Sequence, residues 1–259
     1  MAEPLVRLSA DPRGVAWLTL ARPERRNAFD AQLIGDLTLA VARVDPASRA
    51  VVLASEGDAF CAGADLNWMK SMVDYGIEQN AADSRTLSQM FAALDALPMP
   101  LLARVQGAAI GGGAGLVAVA DIAIASTEAT FGFTEVRLGI IPAVVSPYVV
   151  RRIGVARATT LFVSGMRFDA PHALDIGLVD AVDAPDELDA KLELYLEAII
   201  AGGPLAVRAA KRIARDVTGR PIDEVREHTI ERIAAVRVSP EGQEGMRAFL
   251  ERRKARWEK

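Results

Sequence analysis

The chain has 259 residues, of which 51% are hydrophobic and 25% are charged, enough to bury the core of one large α/β domain. A formal net charge of -4 excludes a general attraction to nucleic acid or to anionic membranes. A single cysteine, Cys61, excludes an internal disulfide, and the two histidines, His172 and His228, lack zinc-ligand spacing, so no metal site is expected.

The N-terminal sequence MAEPLVRLSADPRG lacks the basic segment and the long apolar run that are typical of a signal peptide. No stretch reaches about 18 uninterrupted apolar residues, the length that a membrane-spanning helix needs. A lone cysteine also suits a reducing compartment. We therefore expect a cytoplasmic protein with no membrane partner.

The first half of the chain alternates strand and helix signals. Short apolar runs predict strands at residues 5–8, 14–20, 50–54, 101–105 and 121–125. Helical spacing predicts helices at residues 30–45, from about Leu66, at residues 84–98, and from the glycine stretch to about Ala120. This alternation indicates an α/β fold with a mostly parallel, covered sheet.

Helices dominate the sequence from Pro142 onward, and only residues 178–182 resemble a strand. Apolar periodicity and Gly or Pro boundaries predict helices at residues 146–154, 157–163, 171–178, 186–202, 204–217, 222–237 and 241–257. No internal repeat or low-complexity linker interrupts this pattern.

The stretch VQGAAIGGGAGLVAVAD, residues 105–121, places three consecutive glycines between a strand and a helix. Glycine permits close approach of a ligand and leaves N–H groups free at a helix start, which suits an anion or oxyanion site. Small residues such as Ala114 and Gly115 equally suit close packing of a buried helix. Gly113, Gly115 and Ala118 also match G-x-G-x-x-A, a dinucleotide-binding pattern, although extra glycines separate it from its strand. The stretch alone leaves all three interpretations open.

A second loop of small residues, GDAFCAGADLNWM at residues 57–69, also follows a strand and leads into a helix. Two backbone N–H groups from separate loops can form an oxyanion hole, which stabilises the charge that an acyl oxygen gains in the transition state. Glu135 lies among apolar residues in FGFTEVRLGIIP, where burial would raise its pKa into a range useful for acid/base chemistry. An exposed loop charge is the alternative interpretation of Glu135.

Four segments in this order, FCAGADL, VQGAAIGGG, FGFTEVRLGIIP and EGMRAFLERRK, resemble the crotonase (enoyl-CoA hydratase/isomerase) superfamily, and ARPERRNAF near the N-terminus fits it too. The resemblance spans nearly the whole chain. It implies a spiral of ββα units in residues 1–195, followed by a helical trimerisation region in residues 196–259. The implied assembly is a homotrimer or a dimer of trimers.

The resemblance also implies residue roles. The N–H groups of Ala64 and Gly112 would form the oxyanion hole for an acyl-CoA thioester, and Glu135 would be the catalytic acid/base. Coenzyme A is then part of the substrate, and no separate cofactor is expected. The implied contacts to substrate and coenzyme A are Arg26, Ala28, Ala62, Gly63, Ala64, Asp65, Leu66, Gly111, Gly115, and, at a neighbouring subunit's site, Phe249 and Lys254.

The sequence departs from the pattern at Gly115, where typical hydratases carry a second glutamate. A single carboxylate suits double-bond isomerisation, or hydration if a second water relays the other proton. Gly115 is expected to leave room for a bulky acyl group or for that water. The run PAVVSP resembles methylglutaconyl-CoA and isohexenylglutaconyl-CoA hydratases, whose substrate carboxylate would need a cation such as Arg137 or Arg151.

Hydration of an enoyl-CoA is thus the expected activity, with isomerisation as the alternative. Two other classes stay open. A dinucleotide-dependent oxidoreductase would need an acidic ribose ligand at the end of a second strand, and Glu135 lies beyond residues 121–125. A non-catalytic homologue that binds CoA or RNA is suggested by the absent second glutamate and by the basic residues 252–254.

Overall fold

The computed structural model describes residues 3–258, which form two β-sheets with helices packed around them. The strands in this range are β1 (Val6–Ala10), β2 (Val15–Leu20), β3 (Ala50–Ser55), β4 (Ala59–Cys61), β5 (Leu101–Val105), β6 (Ala108–Ile110), β7 (Ile122–Ser126), β8 (Thr130–Gly132), β9 (Arg167–Asp169) and β10 (Ala181–Asp183). The α-helices are α1 (Ala31–Ala42), α2 (Leu66–Met72), α3 (Ile77–Asp95), α4 (Gly112–Val119), α5 (Ser146–Ile153), α6 (Val155–Ser164), α7 (Ala170–Asp175), α8 (Leu188–Ala201), α9 (Pro204–Asp216), α10 (Ile222–Val238) and α11 (Pro240–Leu250).

The larger sheet has the strand order β1-β2-β3-β5-β7-β10. Only the β1 and β2 pair is antiparallel. In β3, Val51 and Leu53 belong to the core that includes α1 and α3, whereas Ala50 and Val52 belong to the core formed with α8. The continuous apolar run of β3 therefore reflects burial of both faces, which confirms the predicted covered sheet.

The smaller sheet has the strand order β4-β6-β8-β9, in which β4, β6 and β8 are parallel and β9 is antiparallel to β8. Each of these strands has three residues. Three residues carry almost no periodic signal, which is why the sequence pattern predicts none of these strands.

The chain passes repeatedly from the larger sheet to the smaller sheet and then through a helix. β3 leads to β4 and then to α2 and α3, β5 leads to β6 and α4, and β7 leads to β8 and the following helices. This succession is the expected ββα spiral. It places the carboxyl ends of β4, β6 and β8 next to one another.

Two helix bounds differ from the prediction by seven residues each, the largest differences among the helices. Helix α3 begins at Ile77 rather than at residue 84, because the exposed residues of its first turns carry no apolar periodicity, and the Gln79 side chain accepts a hydrogen bond from the Gly76 N–H at its start. Helix α11 ends at Leu250 rather than at residue 257. The chain turns there because Arg252 adopts a left-handed conformation with φ 53°.

Helix α8 crosses the predicted division between residues 195 and 196. Its residues Leu188, Leu192 and Leu196 pack on the larger sheet, so α8 is part of the core as far as Ala201. The helices that follow it, α9 to α11, begin at Pro204. Within residues 3–258, no helix is both long and apolar enough to cross a membrane.

Candidate active site

Three loops leave one edge of the smaller sheet. Ala64 follows β4, Gly112 begins α4 directly after β6, and Glu135 follows β8. Parallel neighbouring strands present their carboxyl ends at the same edge, where ligands bind in many α/β folds. The Gly111 N–H donates to the Gly132 carbonyl at 2.7 Å, which ties the second loop to the third. The fold therefore brings together the three residues predicted to be catalytic.

The Glu135 carboxylate is the titratable group at this edge. It starts a short 3-10 helix (Glu135–Leu138), and its Oε2 atom is buried without a hydrogen-bond partner among residues 3–258. Burial raises the pKa of Glu135 above its ordinary value of 4.5, although a hydrogen bond from its own backbone N–H opposes this shift. The alternative of an exposed loop charge is therefore wrong. A partly desolvated carboxylate with a raised pKa can accept and return a proton.

Gly111 provides the space that the Glu135 side chain occupies. Its φ of +54° lies in the region that favours glycine, and a Cβ at this position would lie 3.0 Å from Glu135 Oε1. An alanine at Gly111 would thus combine backbone strain with displacement of the carboxylate. Gly111 thus lies against the proposed acid/base, and its contact to the substrate stays a prediction.

Two backbone donors lie at the same edge. Within residues 3–258, neither the Ala64 N–H nor the Gly112 N–H has a hydrogen-bond acceptor. Gly112 is the first residue of α4, so its N–H has no carbonyl within the helix and lies at the positive end of the helix dipole. The pair has the chemistry of an oxyanion hole.

Phe29 contacts both donor loops. Its N–H donates to the Gly63 carbonyl at 2.7 Å, and its carbonyl accepts from the Asp65 N–H at 2.8 Å, so its backbone fixes both neighbours of Ala64. Its ring lies against Gly112, where a Cβ would be 2.6 Å from Phe29 Cε2. The sequence interpretation assigned no role to Phe29. The sequence signal for Phe29 is its place as the apolar residue that ends the segment ARPERRNAF.

Gly115 does not leave the space that the sequence suggested. A Cβ at Gly115 would overlap Val145 Cγ1 and would lie 3.1 Å from the Cζ atom of Phe91. Both Val145 and Phe91 are buried. The expectation of room for a bulky acyl group or a water at Gly115 is wrong, because the PAVVSP segment folds back and fills the position with Val145.

The packing around Gly115 predicts how strongly the substitution Gly115→Ala destabilises the fold. Gly115→Ala should lower the free energy of unfolding by about 1–3 kcal/mol, the usual cost of overpacking a filled core. Gly35→Ala in α1 is the matched control, since a Cβ there has nothing within 4 Å, and removing a helix glycine should stabilise by about 0.5–1 kcal/mol. Urea unfolding of both variants measures the difference. Equal effects of the two substitutions would contradict the filled position.

The other residues predicted near the thioester and pantetheine lie around the first loop. The Ala62 N–H donates to the Arg26 carbonyl at 3.0 Å, which holds the loop that contains Ala28 against the loop that contains Gly63 and Ala64. Arg26 is exposed and Ala28 is buried. Asp65 and Leu66 belong to the start of α2, where the buried Asp65 carboxylate caps the helix and the Leu66 side chain is exposed.

Phe249 and Lys254 are not part of this cluster. Helix α11, which carries Phe249, packs against α9 and α10, and Lys254 follows it. Phe249 is 83% exposed. Arg253, one of the basic residues 252–254, is paired with Glu244 and Glu251. Residues 252–254 follow α11 rather than forming its last turn.

The two cations considered for a substrate carboxylate have different surroundings. Arg151 Nη2 lies 2.6 Å from Asp95 Oδ1, and this ion pair raises the pKa of Arg151. Arg151 is therefore not a free cation. Arg137 is exposed, and among residues 3–258 its guanidinium has no hydrogen bond or ion pair, although its backbone N–H donates to the Thr134 carbonyl at 3.0 Å.

Cys61 is buried, and burial raises the pKa of its thiol to about 12, so it is not a nucleophile at neutral pH. Within residues 3–258, no group of three or more His, Cys, Asp or Glu side chains is arranged to hold a metal ion.

The buried carboxylate predicts that Glu135→Gln is more stable than the wild type at neutral pH. A folded-state pKa above the ordinary 4.5 means that the free energy of unfolding of the wild type falls as the pH rises from 4.5 through that raised pKa. The glutamine does not titrate. Its advantage should therefore be absent below pH 4.5 and complete above the raised pKa, as measured by urea unfolding across this range. A pH-independent difference would show that the carboxylate is not desolvated.

The sequence matches the family Enoyl-CoA hydratase/isomerase over residues 10–259. A crystal structure of an enoyl-CoA hydratase from Shewanella pealeana superposes with a TM-score of 0.93 at 37% identity, covering 98% of this chain and 96% of that one. The crotonyl-CoA hydratase of Syntrophomonas wolfei is 32% identical over 246 residues, with 93% of each chain covered. The enoyl-CoA isomerase/hydratase fer4 of Mycosarcoma maydis is 38% identical over 216 residues, with 78% of this chain and 77% of that one covered.

The family match covers nearly the whole chain, and each of these relatives exceeds 30% identity over more than two thirds of it. The superposed structure has the same arrangement of sheets and helices as this chain. The chain is an enzyme of the enoyl-CoA hydratase/isomerase family, within the crotonase superfamily.

Proposed function

We propose that this protein adds water across the α,β double bond of an enoyl-CoA. The observation that carries the proposal is the buried Oε2 atom of Glu135, at the same sheet edge as the N–H groups of Ala64 and Gly112; none of the three has a hydrogen-bond partner within residues 3–258. An acid/base group and two donors are what a reaction through a thioester enolate requires. The relatives named as hydratases support hydration as the reaction.

In the proposed reaction, the thioester oxygen accepts hydrogen bonds from Ala64 and Gly112. Glu135 removes a proton from a water whose oxygen attacks the β-carbon, and the electron pair of the double bond moves to the thioester oxygen, forming the enolate. The enolate then collapses and its α-carbon takes up a proton from Glu135. The sum is the addition of one water, and Glu135 returns to its carboxylate form.

Isomerisation is the second candidate, and one observation favours it. Val145 and Phe91 fill the space beside Gly115 with hydrocarbon, so the proton transfer falls to Glu135 alone. Glu135 alone can move a proton between the α- and γ-carbons of an enoyl-CoA, which requires no water. The name of the fer4 relative includes both activities, isomerase and hydratase.

We also propose that the functional assembly is a homotrimer or a dimer of trimers in which Phe249 and Lys254 reach the site of a neighbouring copy. Their distance in the fold from the Ala64 loop supports this arrangement. So does the row of exposed apolar side chains on α9 to α11, which one chain leaves uncovered. These side chains are Leu205, Ile222, Ile230, Ile233, Val238, Met246, Phe249 and Leu250.

The finer proposal for the acyl group is a branched or carboxylated, glutaconyl-type chain. Arg137 is the cation that supports it, because it lies two residues after Glu135 and its guanidinium has no partner within residues 3–258. Arginine recognises a carboxylate through two parallel hydrogen bonds. Arg137→Gln should then raise KM for a glutaconyl-type substrate and leave KM for crotonyl-CoA unchanged.

A panel of enoyl-CoA thioesters tests the proposed function. It should contain crotonyl-CoA, a longer straight-chain enoyl-CoA and glutaconyl-type enoyl-CoAs, with turnover followed by loss of the absorbance of the conjugated thioester. We expect turnover of at least one member and the highest kcat/KM for a glutaconyl-type member. Binding of CoA without turnover of any member would instead indicate a non-catalytic binding protein.

A further inference from the structure

The Arg22 guanidinium lies behind the first oxyanion loop and joins two segments of the chain. Its Nη1 atom lies 2.7 Å from Asp30 Oδ2 and donates to the Ala28 carbonyl at 3.2 Å, and its Nη2 atom lies 3.3 Å from Asp65 Oδ2. The side chain is only 14% exposed. The rigid guanidinium of Arg22 therefore links residues 28–30 to Asp65.

Arg22 also lies 4.0 Å from the exposed Glu24 carboxylate, but its two less exposed partners, Asp30 and Asp65, both cap helices. Asp30 accepts a hydrogen bond from the Leu33 N–H at 2.8 Å at the start of α1. Asp65 accepts from the Asn67 N–H at 2.7 Å at the start of α2. Each carboxylate thus uses one oxygen for its helix and the other for Arg22, so the guanidinium fixes the two helix starts relative to each other.

Backbone hydrogen bonds carry this constraint to Ala64. The Phe29 N–H binds the Gly63 carbonyl, and the Asp65 N–H binds the Phe29 carbonyl, at 2.7 Å and 2.8 Å. Ala64 lies between these two fixed residues, and its own N–H has no acceptor within residues 3–258. The direction of the Ala64 N–H therefore depends on where Phe29 lies relative to Asp65. Arg22 links the segment that contains Phe29 to Asp65.

The backbone around Arg22 is held from the other side by Asn27. This residue is fully buried and has a φ of +53°, and its side-chain amide donates to the carbonyls of Glu56 and Ala59 at 2.8 Å and 2.9 Å. Its Oδ1 atom accepts from the Arg22 N–H at 2.9 Å. Arg22 is thus anchored to the start of β4, the strand that leads into the Ala64 loop.

We propose that Arg22 is a positioning residue that aims the Ala64 N–H at the substrate oxygen by bridging Asp30 and Asp65. The inference rests on the proposed function, because the Ala64 N–H needs its direction only if an oxygen gains charge there. A misaimed donor stabilises the transition state less, and removing one oxyanion donor altogether costs about 10²–10³ in kcat. Lysine has a single charged nitrogen and cannot reproduce the bridging fork.

Arg22→Lys is the test, with Arg13→Lys as its matched control. Arg13 also bridges two carboxylates, Asp11 and Glu193, at a surface remote from the loop of residues 62–65. We expect Arg22→Lys to lower kcat about tenfold or more, with a far smaller change in KM. The effect on kcat is smaller than that of removing an oxyanion donor altogether, because the Ala64 N–H is misaimed but still present. Arg13→Lys should change neither constant. Asp65→Asn provides a second variant that keeps the Oδ1 cap and loses the ion pair.

Amide hydrogen exchange of peptides covering residues 60–67 gives a readout that needs no turnover. Exchange there should be faster in Arg22→Lys and Asp65→Asn than in the wild type, and unchanged in Arg13→Lys. Unchanged exchange in both loop variants would overturn the proposal whatever the activity. Faster exchange with wild-type kcat would overturn it as well. If the wild type turns over no enoyl-CoA, the proposed function fails, and the exchange result then shows separately whether Arg22 holds the loop.

Discussion

Replacing Glu135 by glutamine is expected to lower kcat for an enoyl-CoA by about 10² or more, the usual contribution of a general acid or base. The amide has nearly the same size as the carboxylate but cannot take a proton from water. KM should change little, because the substitution leaves the loop of residues 62–66 and the N–H groups that bind the thioester oxygen unchanged. The comparison requires kcat and KM of both proteins on the preferred member of the substrate panel.

Glu128→Gln is the control for that substitution. Glu128 is an exposed glutamate in the turn before β8, so the same chemical change there should leave kcat unchanged. Urea unfolding of Glu135→Gln verifies that the variant is folded, so that a lower kcat reflects the lost acid/base group. Turnover near the wild-type rate in Glu135→Gln would remove this residue from the mechanism.

The second large effect is expected at Gly112, where proline deletes the proposed N–H donor. Proline is tolerated at the first position of a helix, because the N–H of that residue has no partner in the helix. Any side chain at this position must displace the Phe29 ring, since a Cβ would lie 2.6 Å from Phe29 Cε2. Gly112→Ala adds that Cβ and keeps the N–H, so it isolates the steric effect.

Relative to Gly112→Ala, the Gly112→Pro variant should lose about 3 kcal/mol of transition-state stabilisation, which corresponds to about 10²-fold or more in kcat. Circular dichroism and thermal unfolding verify that both variants are folded. Equal activity of the alanine and proline variants would contradict the role of the Gly112 N–H. Inactivity of the alanine variant alone would instead indicate that the position of Phe29 controls the site.

The parts of the fold that the sequence predicts have either continuous apolar runs or clear boundary residues. Strands β3, β5 and β7 are apolar on both faces, and α1, α9 and α10 have clear starts, so their positions follow from the pattern. The strands β4, β6, β8 and β9 have three residues each. Their pairing depends on long-range contacts, so a local pattern does not reveal the sheet that assembles the site.

The same distinction applies to the site. Glu135, Ala64 and Gly112 could be predicted because ordered motifs resemble a family. Gly115 shows the limit, because a missing side chain was interpreted as space, whereas Val145 from a segment thirty residues later fills it. Arg22 and Phe29 act through partners in other segments of the chain. No local pattern specifies which carboxylate or loop such a residue contacts.

The product mass tests the central claim most directly. Wild-type protein is incubated with its preferred enoyl-CoA in water labelled with heavy oxygen, with Glu135→Gln as the parallel sample, and the thioester products are analysed by mass spectrometry. Our account predicts a wild-type product heavier by one labelled water, bearing a hydroxyl at the β-carbon, and only a trace of it with Glu135→Gln. A wild-type product of unchanged mass with a displaced double bond, or unchanged substrate, would contradict hydration as the activity of this site.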